Sequence, residues 1–383
     1  MDISKIMGAV PNHEAFLTVD QLNVLMHKRA REFSLEVKQF GKSSVSGESL
    51  HYLKMGSGKK VALVWGFPHP NEPIGTLLID FLVEYFGRHP DVLKETDYTW
   101  YFVYNADPEG ARLNESWFGK PFSLMHYFNG FYRPPANRMI DWTFPIEYEN
   151  AKWNQPLEET KALMGLIDEL KPELMYPLHN AGFEAAYFLS TRKFSPGYYE
   201  RIKEHYRELG IPLNMGEPEE PFMHAIERPF YYDFGFKDYY DHRKKTGGSD
   251  TFLHGDNSTG YLLRVKPSAV VLKAEVCYFL TPALENQNQS ELTRRDVWLS
   301  YLDIVDKHRE LVAPFAEKAL EKLKAPHPHF YLMEDFMRGF RAKNSAFREH
   351  IRTSAEYEAG ATEAEVTTGI IGSYFYGGGL KFA

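Results

Sequence analysis

The sequence predicts an α/β protein with a mixed, mostly parallel central sheet flanked by helices. Short β-like runs alternate with helical patterns over most of the 383 residues, without an internal repeat or an extended linker. The run at 61–65 is continuously apolar, which is typical of a central strand covered on both faces. After Pro73, apolar residues recur every three or four positions, as in an amphipathic helix. These observations favour one large α/β domain.

The individual elements follow in chain order. A helix is expected at 18–31, because apolar residues recur at helical spacing, with Asp20 near the start and basic residues near the end. The other predicted helices, from their apolar periodicity, are at 74–86, 157–170 and 291–324. Strands are predicted from short apolar runs bounded by turn residues, at 35–40, 50–55, 60–65, 98–104, 174–178 and 269–279.

The last part of the chain has a different texture. Pro326 and Pro328 interrupt the preceding helical pattern, and a charged helical stretch follows near 344–358. We therefore expect a main domain over residues 16–324 and a C-terminal appendage over residues 325–383.

Composition and charge exclude several classes of protein. The 44 Lys and Arg against 52 Asp and Glu give a net charge of −8, so no positive field is available to hold nucleic acid. Cys277 is the single cysteine, which excludes an intrachain disulfide. The start lacks the features of a secretory signal, and the longest apolar stretch, at 61–67, is far shorter than the roughly 20 residues of a spanning helix. A cytoplasmic protein without a membrane segment is expected.

The segment after the strand at 60–65 holds the sharpest chemical feature. His69 and Glu72 lie three residues apart in the proline-rich stretch 66–75. Imidazole and carboxylate are both zinc ligands, and this offset on a turn lets both point at one ion. The alternative from the residues alone is that Glu72 complements the helix N-terminus and His69 caps the strand.

A catalytic zinc site also needs a third protein ligand and an open position for water. His179 is the best candidate, because it ends the apolar strand predicted at 174–178 and a turn follows it. A histidine at a strand end can also be satisfied by local hydrogen bonds, and the chain has 15 histidines. Two chemically suitable strand-end positions together favour a metal site.

Water activated by a metal must lose a proton as it attacks, which requires a carboxylate as general base and later proton donor. Glu275 is the candidate. It is a lone carboxylate among apolar residues in the strand predicted at 269–279, where burial is costly unless the charge is partnered. Pairing with Lys273 on the same strand face is the alternative.

Together these residues resemble the zinc metallocarboxypeptidases of the carboxypeptidase A type. That family has H-x-x-E after one strand, a single His at the end of a later strand, and a Glu on a strand later still. The resemblance covers residues 16–320, including the helix and turns upstream of His69. It implies a zinc carboxypeptidase-like fold, with zinc held by His69, Glu72 and His179 and with Glu275 as general base and acid.

The resemblance also implies substrate-binding residues. The family has an arginine that polarises the scissile carbonyl, after an N-P-D-G-like segment, and an Asn-Arg pair that grips the substrate's terminal carboxylate. The segment at 105–110 is an altered form of the first motif. Arg112 after it is our choice for the oxyanion role, and Arg133 is the rival. Asn137 and Arg138 match the pair.

One position departs from the family pattern: the acidic residue usual two positions before the Asn is here Pro135. Arginine suits both proposed roles, because its planar guanidinium binds a carboxylate through two donors and stays charged at any working pH. The alternative is that Arg112, Arg133 and Arg138 are ordinary surface or ion-pair arginines. The family also often uses a loop tyrosine upstream of the base, for which the candidates are Tyr239, Tyr240 and Tyr261.

The expected function is that of a zinc metallocarboxypeptidase, which removes a C-terminal amino acid from a peptide through a metal-activated water. The expected substrate is a peptide or small amide with a free carboxylate. Two alternatives stay open: a zinc-dependent deacylase of N-acyl amino acids, and a non-catalytic relative that binds peptide. The presence of all four metal-site residues argues against the second. No phosphate-binding glycine motif follows a strand, so nucleotide binding has no support.

Overall fold

The computed structural model describes residues 2–247, 254–342 and 345–374. Its α-helices are α1 (Ile3–Gly8), α2 (Val19–Glu32), α3 (Ile74–Arg88), α4 (Pro90–Glu95), α5 (Pro108–Asn114), α6 (Leu124–Gly130), α7 (Glu158–Leu170), α8 (Pro196–Glu208), α9 (Phe236–Lys245), α10 (Ser258–Val265), α11 (Arg294–Lys322), α12 (Pro328–Ala342), α13 (Ser345–Thr353) and α14 (Glu363–Val366). Within those described ranges, no helix is long and apolar enough to span a membrane.

The strands are short, as is usual for an α/β protein. They are β1 (Glu36–Lys42), β2 (Ser49–Met55), β3 (Lys60–Trp65), β4 (Tyr98–Val103), β5 (Ile146–Tyr148), β6 (Ala151–Trp153), β7 (Leu174–Pro177), β8 (Phe183–Glu184), β9 (Tyr187–Ser190), β10 (Ala225–Glu227), β11 (Phe230–Tyr232), β12 (Val270–Glu275), β13 (Phe279–Leu280), β14 (Gln289–Thr293) and β15 (Gly360–Thr362). Single turns of 3₁₀-helix at Ala136–Arg138 and Ile140–Trp142 also matter for the site.

The chain packs into two compact units. The first comprises residues 1–147, 152–180 and 253–274, and the second comprises residues 148–151, 181–252 and 275–383. The three candidate metal ligands, the candidate arginines and the Asn-Arg pair lie in the first unit, and Glu275 lies in the second.

A mixed sheet runs through the first unit, with the strand order β1-β2-β4-β3-β7-β12. β2 is antiparallel to both β1 and β4, whereas β4, β3, β7 and β12 run parallel to their neighbours. Trp65, the last residue of β3, is level with Val103 of β4 and Pro177 of β7. The loops after these three strands therefore leave the same edge of the sheet, where α/β proteins place their sites.

The apolar run in β3 is covered on both faces of the sheet. Leu63 and Trp65 point into a core cluster that includes Leu163 of α7 and Leu262 of α10. Side chains alternate along a strand, so Val64 points to the opposite face, where α3 packs against β3 and β4. This confirms the predicted α/β class, with a mixed sheet between layers of helices.

A buried ion pair joins the two helices α2 and α3. Arg29 of α2 binds both carboxylate oxygens of Asp80 on α3, through Nε at 2.9 Å and Nη2 at 2.8 Å. The hydroxyl of Tyr104, just after β4, also donates to Asp80 (3.1 Å). Such a two-pronged contact fixes the angle of the pair as well as its distance.

The second unit holds smaller sheets and the long helix α11. β9 and β11 are parallel, and β10 pairs with β11 in the antiparallel sense. α11 packs against α12 and α13. β15 pairs with β14, so part of the expected appendage belongs to the same unit as residues 275–324. A domain boundary at residue 324 stays a prediction, and residues 375–383 lie outside the described part of the chain.

The structure confirms the predicted helices and strands of the main domain, with shifted ends. The predicted strand at 269–279 stops at Glu275, because the next residues bend to exchange hydrogen bonds with Ala181: its N–H donates to Val276, and its carbonyl accepts from Tyr278. The predicted helix at 291–324 begins at Arg294, where the preceding Thr293 caps it by accepting from the backbone of Asp296.

Candidate metal centre

The loop between β3 and α3 carries His69 and Glu72. The N–H of Glu72 donates to the carbonyl of His69 (3.1 Å), so both belong to one tight turn. A β-carbon at Gly75 would lie 2.3 Å from Cβ of Leu178, so glycine alone lets the start of α3 approach the end of β7 this closely. Leu178 directly precedes His179. This close approach brings the three candidate side chains together.

Glu72 lies between the two imidazoles. Nδ1 of His69 is 2.7 Å from its Oε1, and Nδ1 of His179 is 3.1 Å from its Oε2. The two rings face each other edge-on with centroids 4.8 Å apart. All three side chains are buried. Each carboxylate oxygen therefore faces one ring nitrogen. His69, Glu72 and His179 together form a compact and largely dehydrated set of possible metal ligands, which we call the donor group.

Burial and neighbouring charge set the protonation state of this group. Burial, reinforced by the charge of Arg133, lowers the pKa of His69 to about 4, against the opposing effect of Glu72. Burial would raise the pKa of Glu72, but the two histidines outweigh it and lower that pKa. A neutral imidazole of His69 beside an ionised carboxylate is the protonation state in which these residues bind metal.

The donor set fits zinc. His69, Glu72 and His179 each offer one ligand atom, and these atoms lie within 4.8 Å of one another. Zinc takes imidazole nitrogen together with carboxylate oxygen, and catalytic sites keep three protein ligands and one position for water. Calcium and magnesium prefer sites made of oxygen atoms alone. Two nitrogens and one carboxylate therefore favour zinc or a similar transition metal.

The two candidate arginines occupy different surroundings. Nη1 of Arg133 is 3.2 Å from Oε1 of Glu72, and its Nη2 is 3.5 Å from Nε2 of His69. Arg112, on α5, instead binds Asp20 (2.7 Å) and Glu48 (3.2 Å) through Nη2. The structure thus places Arg133, the rival from the sequence, beside the candidate metal ligands, and Arg112 in surface ion pairs.

Asn137 and Arg138 lie on the 3₁₀ turn Ala136–Arg138. The turn is closed by a hydrogen bond from the N–H of Arg138 to the carbonyl of Pro135 (2.8 Å). Asn137 is half-buried, and Arg138 is exposed. The pair follows Arg133 closely in the chain, and the cationic side chain of Arg138 is accessible to a solute. A role of the pair in binding a carboxylate stays a prediction.

Glu275 is the last residue of β12 and is buried. Within the second unit it lies near two other acidic residues, Glu184 and Glu219. Burial, together with the negative charges of Glu219 and Glu275, raises the pKa of Glu184 to about 8. The role of Glu275 as general base stays a prediction.

The candidate loop tyrosines lie on helices: Tyr239 and Tyr240 on α9, and Tyr261 on α10. The hydroxyl of Tyr239 donates to Glu220 (2.7 Å), and that of Tyr261 donates to Asp168 (2.9 Å). Tyr240 is buried. Residues 248–253, between Tyr240 and Tyr261, lie outside the described residues.

One residue of the site was not predicted from the sequence. Asp141 is buried on the 3₁₀ turn Ile140–Trp142, with Oδ2 3.2 Å from Nε2 of His179. The resemblance places an acidic residue at position 135, where this chain has proline. A lone carboxylate within the apolar stretch 139–142 was the signal that could have identified it, because such burial requires a partner.

Comparisons with known proteins returned structural neighbours. No protein-family model matches the sequence, and no curated protein matches it. A candidate metallopeptidase from Shewanella amazonensis is 13% identical, with a TM-score of 0.46 over 68% of this chain and 84% of that chain. Bovine thrombin-activatable fibrinolysis inhibitor, in complex with tick carboxypeptidase inhibitor, is 10% identical, with a TM-score of 0.41 over 68% and 86%.

A metallo-carboxypeptidase from Burkholderia cenocepacia is also similar, at 11% identity. Its TM-score is 0.37 over 67% of this chain and 60% of that chain. The descriptions of two of these three neighbours name a metallopeptidase and a metallo-carboxypeptidase.

Proposed function

We propose that this chain is a zinc-dependent hydrolase that removes the C-terminal amino acid from a peptide. The observation that carries the proposal is the arrangement of Glu72 between Nδ1 of His69 and Nδ1 of His179, at 2.7 and 3.1 Å. Two imidazoles and one carboxylate form the three-ligand set of a catalytic zinc site. Bound zinc supplies Lewis acidity and lowers the pKa of a water molecule.

In this proposal Glu275 is the general base and the general acid. It accepts a proton from the attacking water and later delivers it to the leaving amine, as a positioned carboxylate does in general acid–base catalysis. The burial of Glu275 supports this assignment, since a buried carboxylate binds a proton more readily than an exposed one.

Arg133 is the residue that we propose for stabilising the oxyanion. Its guanidinium already lies at the donor group, 3.2 Å from Glu72. A fixed positive charge there opposes the negative charge that develops on the carbonyl oxygen in the transition state. Arg112 is held by Asp20 and Glu48, so moving it to this role would break two ion pairs.

Asn137 and Arg138 are proposed to bind the free carboxylate of the substrate. The exposed guanidinium of Arg138 can donate two parallel hydrogen bonds to a carboxylate. Because the substrate must carry a terminal carboxylate, the enzyme would act as an exopeptidase. A deacylase of N-acyl amino acids would use the same residues, because its substrate also carries a free carboxylate beside an amide.

The first experiment is elemental analysis of the purified protein, paired with a His179→Ala variant prepared identically. We expect about one zinc per chain in the wild type and its loss in the variant. A wild-type protein that holds no zinc after reconstitution would contradict the proposal and favour a non-catalytic peptide-binding protein.

The second experiment measures hydrolysis of peptides with free or amidated C-termini and of N-acyl amino acids. We expect cleavage that requires a free carboxylate. Glu275→Gln should lose about 10²- to 10⁴-fold in kcat while it retains zinc. Faster turnover of acyl amino acids than of peptides would identify the deacylase instead.

A further inference from the structure

His179 is held by acidic residues at both ring nitrogens. Nδ1 lies 3.1 Å from Oε2 of Glu72, and Nε2 lies 3.2 Å from Oδ2 of Asp141. His179 is 7% exposed and Asp141 is 1% exposed, so water does not compete for either contact. The two nitrogens are on different edges of the ring. Asp141 therefore contacts the edge that faces away from the donor group and is not itself placed as a fourth ligand.

The carboxylate of Asp141 is itself held in place. Its other oxygen, Oδ1, accepts a hydrogen bond of 2.8 Å from the backbone N–H of Ser258, the first residue of α10. Each carboxylate oxygen thus has a separate partner, one a backbone donor and one a histidine. A carboxylate fixed at both oxygens can fix the ring that it contacts.

The backbone around Asp141 is rigidly paired. The N–H of Gly255 donates to the carbonyl of Trp142 (2.8 Å), and Phe144 and Asp256 exchange two backbone hydrogen bonds (2.8 and 3.1 Å). A β-carbon at Gly255 would lie 2.3 Å from the carbonyl oxygen of Phe144, so the two segments approach as closely as backbone allows. Asp141 and Ser258 therefore lie on two segments that are hydrogen-bonded to each other.

The charge of Asp141 is compensated within the same unit. Lys273, which is buried in the same unit, supplies a positive charge to it. A carboxylate is an acceptor only, so Nε2 of His179 is the donor in the 3.2 Å contact with Asp141. Nδ1, the nitrogen that faces Glu72, is then the nitrogen that can bind the ion.

We propose that Asp141 is the positioning residue of the metal site: it holds the ring of His179 and keeps its proton on Nε2, so that Nδ1 is available to the ion. The proposal rests on the metal site of the proposed function. It assigns to the position three residues after Arg138 a task that the family pattern does not place there. Partners of this kind on the non-ligating nitrogen contribute about 10- to 100-fold to metal affinity.

The test measures the zinc affinity of the full-length protein by competition with a chromogenic chelator. Asp141→Asn has the same size and keeps an acceptor but loses the charge, and we expect zinc to bind about 10-fold more weakly. Asp141→Leu loses the acceptor as well, and we expect about 100-fold. The visible spectrum of the Co²⁺-loaded protein should change in both variants, because the position of a ligand has changed.

The matched control is Asp80→Asn, which removes another buried carboxylate of the same unit, the partner of Arg29. Its zinc affinity and Co²⁺ spectrum should equal those of the wild type. Equal affinity of Asp141→Asn and wild type would overturn the proposal even if Asp141→Leu does not fold. An equal loss in Asp80→Asn would also overturn it, because the effect would then be general destabilisation. Failure of the wild type to bind zinc would instead refute the metal site itself.

Discussion

Arg133 and Arg112 belong to the same compact unit but differ in what surrounds their guanidinium groups. Arg133 lies 3.2 Å from a candidate metal ligand, Glu72, whereas Arg112 is occupied by two surface acids. Exposed ion pairs of the second kind contribute little to stability, about 0–1 kcal/mol. The chemical role of each arginine is therefore decided by its neighbours.

At this scale we expect Arg133→Ala to lower kcat/KM by about 100-fold or more, which is the usual cost of removing a donor to an oxyanion. Arg112→Ala is the matched control and should change kcat/KM by no more than a few fold. Zinc content is measured in both, since Arg133 contacts Glu72. The reverse order of effects would return the oxyanion role to Arg112.

The buried carboxyl of Asp107 predicts a dependence of stability on pH. Burial raises its pKa from 3.8 to about 7, against the opposing hydrogen bond from the N–H of Gly110. The folded state thus keeps a proton that the unfolded state releases. The stabilisation is complete below pH 3.8 and is lost as the pH rises to about 7.

Asp107→Asn removes this titration and keeps a side-chain oxygen to cap α5. The free energy of unfolding of the wild type, relative to the variant, should fall by up to about 4 kcal/mol between pH 4 and pH 7.5. Denaturant unfolding at several pH values measures it. A difference that is flat across this range, or that rises with pH, would contradict the assigned shift.

The start of α3 and the end of β7 are the elements that build the donor group. They approach through Gly75, whose missing side chain leaves room for Leu178. The loop from β3 reaches the same edge, because Trp65 and Pro177 are level in the sheet. The relative position of two elements, rather than any single residue, therefore sets the distance between the two histidines.

Gly75→Ala should push α3 away from β7, which we expect to cost about 1–3 kcal/mol of stability and to weaken zinc binding. Gly165→Ala is the control. Gly165 is also helical, on α7, but a β-carbon there meets nothing within 4 Å. It should stabilise the protein by about 0.5–1 kcal/mol and leave zinc binding unchanged. Thermal unfolding and chelator competition measure both effects, and unchanged zinc affinity in Gly75→Ala would contradict the role of this approach.

At the scale of the whole molecule, the chain must hold its fold without a disulfide, because Cys277 is its single cysteine. The candidate metal site joins the loops after two strands of the first unit. A ligand that binds only the folded state stabilises that state by mass action, by about 2.7 kcal/mol at 100 times its Kd.

Removal of metal by a chelator should therefore lower the midpoint of thermal unfolding by a few degrees. Added zinc should restore it. His179→Ala should unfold at the same temperature with and without chelator, since one ligand of the group is missing. If neither chelator nor zinc changes the midpoint of thermal unfolding of the wild type, the folded state binds no metal.

The predicted and observed helices and strands agree where the local pattern of apolar residues determines the secondary structure. The continuous apolar run of β3 and the periodic helix α3 follow from side-chain spacing, and their ends match closely. The end of strand β12 was predicted four residues too late, because hydrogen bonds to Ala181, far away in the sequence, bend the chain after Glu275. Spacing contains no information about such a partner.

The sequence by itself determined the α/β class, the order of the elements and the three residues that could hold a metal. These depend on periodicity and on chemical type at strand ends, which are local properties. Tertiary structure alone decided that Arg133 rather than Arg112 stands beside Glu72, and that Asp141 contacts His179. Both contacts join residues distant in sequence, and their distances depend on how strands and helices pack, which no local pattern encodes.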